Sequence, residues 1–199
     1  HAAFRSLWLA SLVTNTGVAV QLVAASWLMT SLTDSPLMVA LTNASATLPV
    51  MLLASVAGVL ADSFDRRQLM LVSQVFMLAV GLGLVLLALA GWLTPWPLLV
   101  ATVLIGVGTA MHNPCWQATL SDLVTRDQLQ SAVSINAVGA NITRAVGPMV
   151  GGIALAVAGA ASTFALQSVS HLAMIVALLR WRPVKVQRRF PPEPFFSAW

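Results

Sequence analysis

The chain has 199 residues, of which 58% are hydrophobic and only 8% are charged, and its mean hydropathy is +0.87. A soluble domain usually carries about 25% charged residues, so this composition excludes a water-soluble globular protein and indicates an integral membrane protein. The net charge of +4 does not indicate a nucleic-acid partner, because every Lys and Arg except Arg144 lies at the end of an apolar run, between two runs or beyond the last one. The single cysteine, Cys115, leaves no pair for an internal disulfide.

Six apolar runs are long enough to cross a bilayer, which takes about 20 residues. The runs cover residues 7–32, 36–61, 67–91, 97–120, 130–157 and 162–181. The sequence therefore predicts an all-α integral membrane protein, with a bundle of six transmembrane helices over residues 1–182. Residues 183–199 form a basic, proline-containing segment that we interpret as the start of a central cytoplasmic linker.

The connections between the runs alternate in charge. The first, third and fifth contain no Lys or Arg, whereas the second, the fourth and the C-terminal tail hold eight. Cytoplasmic loops carry an excess of these residues, so we expect both ends of the chain on the cytoplasmic side of a bacterial-type inner membrane. Asp65 with Gln68, and Thr125 with Gln128, fit the capping box that opens a helix.

The second connection, GVLADSFDRR, carries charges of both signs. Asp62 and Arg66 are four residues apart and would pair across one helical turn. Such a cluster at the membrane boundary can hold neighbouring helix ends in one arrangement and release them in another. The alternative is a solvated loop whose arginines only fix the orientation of the chain.

The fifth run contains Arg144 near its midpoint, where a charged side chain costs roughly 2.5–3.5 kcal/mol on insertion scales. Asn141 and Pro148 share its helical face. We expect this face, with Arg144 and Asn141, to line a polar cavity. The six runs offer no acidic partner, so the counter-charge of Arg144 would come from an anionic substrate or a group outside this chain. The alternative is an arginine bound by backbone carbonyls at a proline kink.

A second face of the fifth run carries small residues at every fourth position, and two alanines continue it on the same side: Gly139, Thr143, Gly147, Gly151, Ala154 and Ala158. In lipid, stripes of this kind allow helix backbones to approach closely. The pattern predicts that this face packs tightly against another helix.

Two segments resemble the major facilitator superfamily of transporters. Gly58, Asp62, Arg66 and Arg67 are similar to the G-x-L-A-D-x-x-G-R-R signature that lies between the second and third helices of that family. Asp65 stands where a glycine is usual. In the family this loop is thought to govern the conformational change, and the resemblance therefore implies a conformational switch at these residues.

The second segment lies in the fifth run. Gly147, Pro148, Gly151 and Gly152 resemble the G-x-x-x-G-P-x-x-G-G antiporter motif, with Thr143 in place of its first glycine. Residues 121–152 resemble the enterobactin-exporter-like, drug-efflux branch of the superfamily without interruption.

The resemblance implies the N-terminal half of a twelve-helix fold, whose C-terminal six-helix half would be its partner alongside membrane lipid. It implies a secondary active transporter that exports small amphipathic molecules, drugs or siderophores, by alternating access. Helices one, two, four and five line the central cavity in the family, so the resemblance implies that Asn15, together with Asn141 and Arg144, contacts the substrate. Interhelical hydrogen bonds are the alternative role for the asparagines. We expect no enzymatic activity, cofactor, metal site or nucleic-acid partner. The alternative is a six-helix scaffold or channel without coupled transport.

The proton is a candidate coupling ion. Many proton-coupled members carry an arginine in their fourth helix, and the fourth run has none. His112 and His171 can titrate near neutrality, although hydrogen-bonded packing is the alternative role for each.

Overall fold

The computed structural model describes residues 2–181, and throughout this range the regular secondary structure is α-helical. The helices are α1 (Ala2–Leu32), α2 (Pro36–Ser63), α3 (Arg66–Leu89), α4 (Pro95–Asp122) and α5 (Leu129–Arg180). All five are long and apolar enough to cross a membrane, judged by length and composition. The predicted linker, residues 183–199, lies outside the described residues.

The helix starts follow from local chemistry. Both α2 and α4 begin at a proline, whose missing N–H costs nothing in the first turn of a helix. The side chain of Asp65 accepts hydrogen bonds from the backbone N–H groups of Arg67 (2.9 Å) and Gln68 (3.3 Å), which confirms the predicted cap of α3.

The predicted helix start at Thr125 is wrong. Residues 126–128 form a turn, in which the N–H of Gln128 donates to the carbonyl of Thr125 at 3.0 Å, and α5 begins at Leu129. The carbonyl of Thr125 is thus used to close a turn. Charged and polar residues between two apolar runs fit this turn as well as they fit a first helical turn.

Helix α5 is 52 residues long but is interrupted at Gly159, which has φ 77° and ψ −177°. This backbone conformation is essentially restricted to glycine. An uninterrupted helix of this length would extend about 78 Å, more than twice the roughly 30 Å hydrocarbon core of a bilayer. We call residues 129–158 the first arm of α5 and residues 160–180 the second arm.

The two arms run along α1 in opposite directions. In the first arm, a Cβ at Gly139 would meet Leu12 and a Cβ at Gly151 would meet Val20, so this arm is parallel to α1. The second arm contacts α1 in the reverse order: Phe164 lies in a cluster with Met29, the carbonyl of Ser170 accepts from Thr14, and Leu178 lies in a cluster with Leu7.

The apolar core consists of two clusters, one toward each end of the bundle. The first surrounds Leu7 and includes Met70, Trp116 and Leu178. We call this the basic end, because the α2–α3 and α4–α5 connections lie there. The second cluster surrounds Met29, and its buried members come from α1, α3, α4 and the second arm: Ala24, Ala25, Leu84, Leu98, Leu99, Ala101 and Phe164.

Candidate functional site

An ion pair joins two helices at the basic end. Arg66 at the start of α3 and Asp122 at the end of α4 are 2.7 Å apart, and Nη1 of Arg66 also lies 3.4 Å from the carbonyl of Ala118. The two side chains are 28% and 49% exposed, so water screens the pair and its contribution to stability is below about 1 kcal/mol. The pair therefore contributes little to stability, but it shows that the start of α3 lies next to the end of α4.

The neighbouring arginine binds a third helix end. Nε of Arg67 donates to the carbonyl of Leu178 at 2.7 Å, and Nη2 donates to the carbonyl of Leu179 at 3.2 Å. Carbonyls in the last turn of a helix lack partners within the helix and carry partial negative charge, so a guanidinium suits this position. Arg66 and Arg67 together connect the start of α3 to the ends of α4 and of the second arm.

The sequence did not predict Asp122 as a partner of Arg66, because the two residues are 56 positions apart in the chain. The predicted Asp62–Arg66 pair stays a prediction, since the side chain of Asp62 lies outside the described part of the structure. A Cβ at Gly58 would meet nothing within 4 Å, so its surroundings in the described residues give no steric reason for a glycine there.

The glycines of the antiporter-like motif divide into two groups. Gly147 and Gly151 are buried against α1, where a Cβ would meet Ala19 and Val20 respectively. Gly152 is exposed, and a Cβ there would meet nothing within 4 Å. The predicted small-residue stripe is confirmed at four positions, which are buried: Gly139, Thr143, Gly147 and Gly151. It does not continue as predicted, because Ala154 is half-buried and Ala158 is exposed.

The three residues predicted to line a cavity are all exposed: Asn15, Asn141 and Arg144. Pro148, on the same helical face, is exposed as well. Within residues 2–181, the side chain of Arg144 makes no hydrogen bond or ion pair. The arginine is therefore not held by carbonyls at the proline, which was the alternative interpretation.

Polar side chains in the helix interiors fall into two groups by position. Those of α3 and of the second arm are buried. Between the first and last turns of these two segments the large exposed side chains are apolar: Val72, Val75, Phe76, Leu82, Leu86, Leu166, Val169, Leu172 and Val176. Away from the helix ends, exposed amide or charged side chains lie instead on α1, α2, α4 and the first arm: Asn15, Asn43, Asn113, Gln117, Asn141 and Arg144. The bundle thus presents an apolar surface and a separate set of polar helix faces, which we call the polar faces.

A buried hydrogen-bond network links three helices. Oε1 of Gln74 (α3) lies 2.7 Å from Nδ1 of His171 (second arm), and Nε2 of Gln74 lies 3.3 Å from Nδ1 of His112 (α4). Nε2 of His171 lies 2.7 Å from Nε2 of Gln167. The sequence analysis identified both histidines as candidates but not the two glutamines that contact them. The network could not be predicted because its residues come from three separate apolar runs.

An apolar helix bundle with polar faces on some helices and a charged α2–α3 connection is the arrangement expected of a major facilitator transporter. The chain matches the model of the transmembrane secretion effector family over residues 1–199. It belongs to this family, whose members are transporters of the major facilitator superfamily.

Curated relatives include exporters of different molecules. The chain is 28% identical to the staphyloferrin A transporter of Staphylococcus aureus over 77% of its length, which is 39% of that protein. It is 28% identical to the enterobactin exporter EntS of Shigella flexneri over 98% of its length, which is 46% of that protein. It is 25% identical to macrolide efflux protein A of Streptococcus pyogenes over 74% of its length, which is 36% of that protein. The chain thus spans less than half of each relative.

Proposed function

We propose that this chain is the N-terminal half of a secondary active transporter that exports small amphipathic molecules, drugs or siderophores, across the bacterial inner membrane. In this proposal the two arms of α5 are separate spans, so the chain has six, and a C-terminal half supplies six more. The named activities of the relatives support the export of such molecules. The share of each relative that the chain spans supports a second half.

The distribution of polar side chains carries the proposal. A charged or amide side chain in contact with lipid is costly, and in membrane proteins such groups face the protein interior or a water-filled cavity. The polar faces therefore suit one wall of an aqueous cavity between two halves. The apolar surface of α3 and the second arm suits lipid. A channel or scaffold would have the same separation of polar and apolar side chains, so only a transport measurement distinguishes these functions.

The contacts at the basic end support alternating access. We propose that Gly58, Asp62, Arg66 and Arg67 form a conformational switch, in which the two arginines hold the ends of α4 and the second arm in one state. The coupling ion in this proposal is the proton. Tight packing of Gly147 and Gly151 on α1 would let the first arm and α1 move together.

The experiment uses the full-length protein, produced in bacterial cells that lack their major efflux pumps. A panel of amphipathic dyes of each charge type is measured for accumulation in the cells. We expect several-fold lower accumulation of at least one dye, and a protonophore should restore it. Equal accumulation of every dye with and without the protein contradicts the proposal. Export that only equilibrates the dye and ignores the protonophore would instead indicate a channel.

A variant tests the switch in the same assay. Asp122→Asn removes the charge that Arg66 contacts, and we expect export to fall by up to about fivefold, which corresponds to the roughly 1 kcal/mol that bounds the energy of the pair. The unfolding temperature in detergent should change little, because a half-exposed pair contributes below about 1 kcal/mol. Asp34→Asn, in the α1–α2 connection, is the matched control and should keep full export. Full export by Asp122→Asn contradicts the switch.

A further inference from the structure

We propose that Arg144, with the side-chain amides of Asn15 and Asn141, forms a subsite for an anionic group of the exported molecule. The group would be planar with two oxygens, such as a carboxylate. This inference rests on the proposed function and deepens it, because it assigns the cargo to the anionic amphiphiles.

The positions of α1 and the first arm place these residues at one depth. Gly139 is opposite Leu12 and Gly147 is opposite Ala19, and the two helices are parallel. Arg144 lies between the two glycines in sequence, so it is level with the middle of the Leu12–Ala19 segment, where Asn15 lies. The depth is near the centre of the first arm, which extends from residue 129 to residue 158.

The described residues place no acidic side chain at the depth of Arg144. The guanidinium of Arg144 carries a positive charge, and this side chain makes no hydrogen bond or ion pair with residues 2–181. The acidic residues in this range all lie at helix ends or in connections: Asp34, Asp62, Asp65, Asp122 and Asp127. An exposed arginine halfway along an apolar helix therefore offers an available positive charge to an anion that enters the cavity.

The neighbouring groups match the same ligand. Asn141 precedes Arg144 by one helical turn on the same face, and both are exposed, as is Asn15 on α1. Each amide supplies two N–H donors, and the guanidinium supplies a planar fork that binds two oxygens at once. The guanidinium, which is positively charged and has no acceptor, favours an anion over a cation, and the two amides can donate further hydrogen bonds to the oxygens of that anion.

The competing source of the anion is an acidic side chain from the part of the protein beyond this chain. Such a residue would neutralise Arg144 in the protein itself, and the charge of the cargo would then make no difference. Cargoes that differ only in charge therefore distinguish the two sources.

The test measures uptake into everted membrane vesicles that contain the full-length protein. Three dansyl amphiphiles with the same tether, ending in a carboxylate, a carboxamide or an ammonium group, serve as cargoes. We expect the wild type to transport the carboxylate about 10- to 100-fold more efficiently than the carboxamide, the range that a charge-assisted hydrogen bond provides. Arg144→Gln should remove this preference by slowing the carboxylate alone.

Two further variants make the result specific. Arg144→Lys keeps the charge but loses the two-oxygen fork, so it should retain part of the preference. Arg126→Gln removes an equal charge from the α4–α5 connection and should keep all of it. An equal loss of all three cargoes in Arg144→Gln overturns the anion subsite in favour of an internal partner, while transport itself stands. Wild-type vesicles that transport none of the three would contradict the subsite, and the dye panel then decides the proposed function separately.

Discussion

At the scale of single residues, one motif contains two glycines with opposite surroundings. Gly147 faces α1, where its missing side chain leaves room for Ala19, whereas Gly152 faces open space. Helices in lipid associate mainly through close van der Waals packing, so only the first of these positions should be sensitive to size. The motif alone does not separate them.

Replacement of each glycine by alanine tests this difference. Both changes raise helix propensity by about 1 kcal/mol, so the difference between them reports packing. We expect Gly147→Ala to destabilise by about 1–3 kcal/mol, as overpacking usually does, and Gly152→Ala to be neutral or stabilising. The measurement is the thermal unfolding of the purified protein in one detergent. Equal midpoints for the two variants would contradict the packing on α1.

At the scale of elements, the apolar runs predicted the helices well because a bilayer imposes a minimum length on every span. The predicted 36–61 and 97–120 fall within α2 and α4, and the gap predicted between 157 and 162 contains the break at Gly159. The apolar pattern cannot supply contacts between distant residues. The Arg66–Asp122 pair and the bridging role of Gln74 depend on how helices pack, which a hydropathy pattern leaves undetermined.

The break in α5 depends on one backbone conformation. Gly159→Ala would introduce a side chain at φ 77°, which costs about 1–3 kcal/mol for a residue other than glycine. We expect this variant to unfold at a lower temperature than the wild type. Gly83→Ala in α3 is the control, since a Cβ there meets nothing within 4 Å and its φ is not positive. If Gly159→Ala were as stable as Gly83→Ala, the break would not require glycine.

At the scale of the whole molecule, the reversal at Gly159 determines the number of spans and the side on which the chain ends. Single cysteines in a Cys115→Ala background test it with a membrane-impermeant maleimide. Ser35→Cys and Ser162→Cys should react in intact cells, because six spans place both connections outside. Thr125→Cys should react only after permeabilisation, as the positive-inside rule requires.

The control is full labelling of all three variants in permeabilised cells, which shows that each thiol is accessible to the reagent. Labelling of Ser162→Cys only after permeabilisation would place the break on the inner side. That result would contradict six spans with both ends in the cytoplasm.

The network around Gln74 has a mechanical consequence. Its hydrogen bonds connect α3, α4 and the second arm through buried side chains, and interhelical bonds of this type contribute about 0.6 kcal/mol each on average. Sliding α3 past its two neighbours would break both bonds that cross between helices, Gln74–His112 and Gln74–His171. We therefore expect α3 to keep its register with α4 and the second arm at this depth, and movement during a transport cycle to be larger at the helix ends, where the contacts of Arg66 and Arg67 can open.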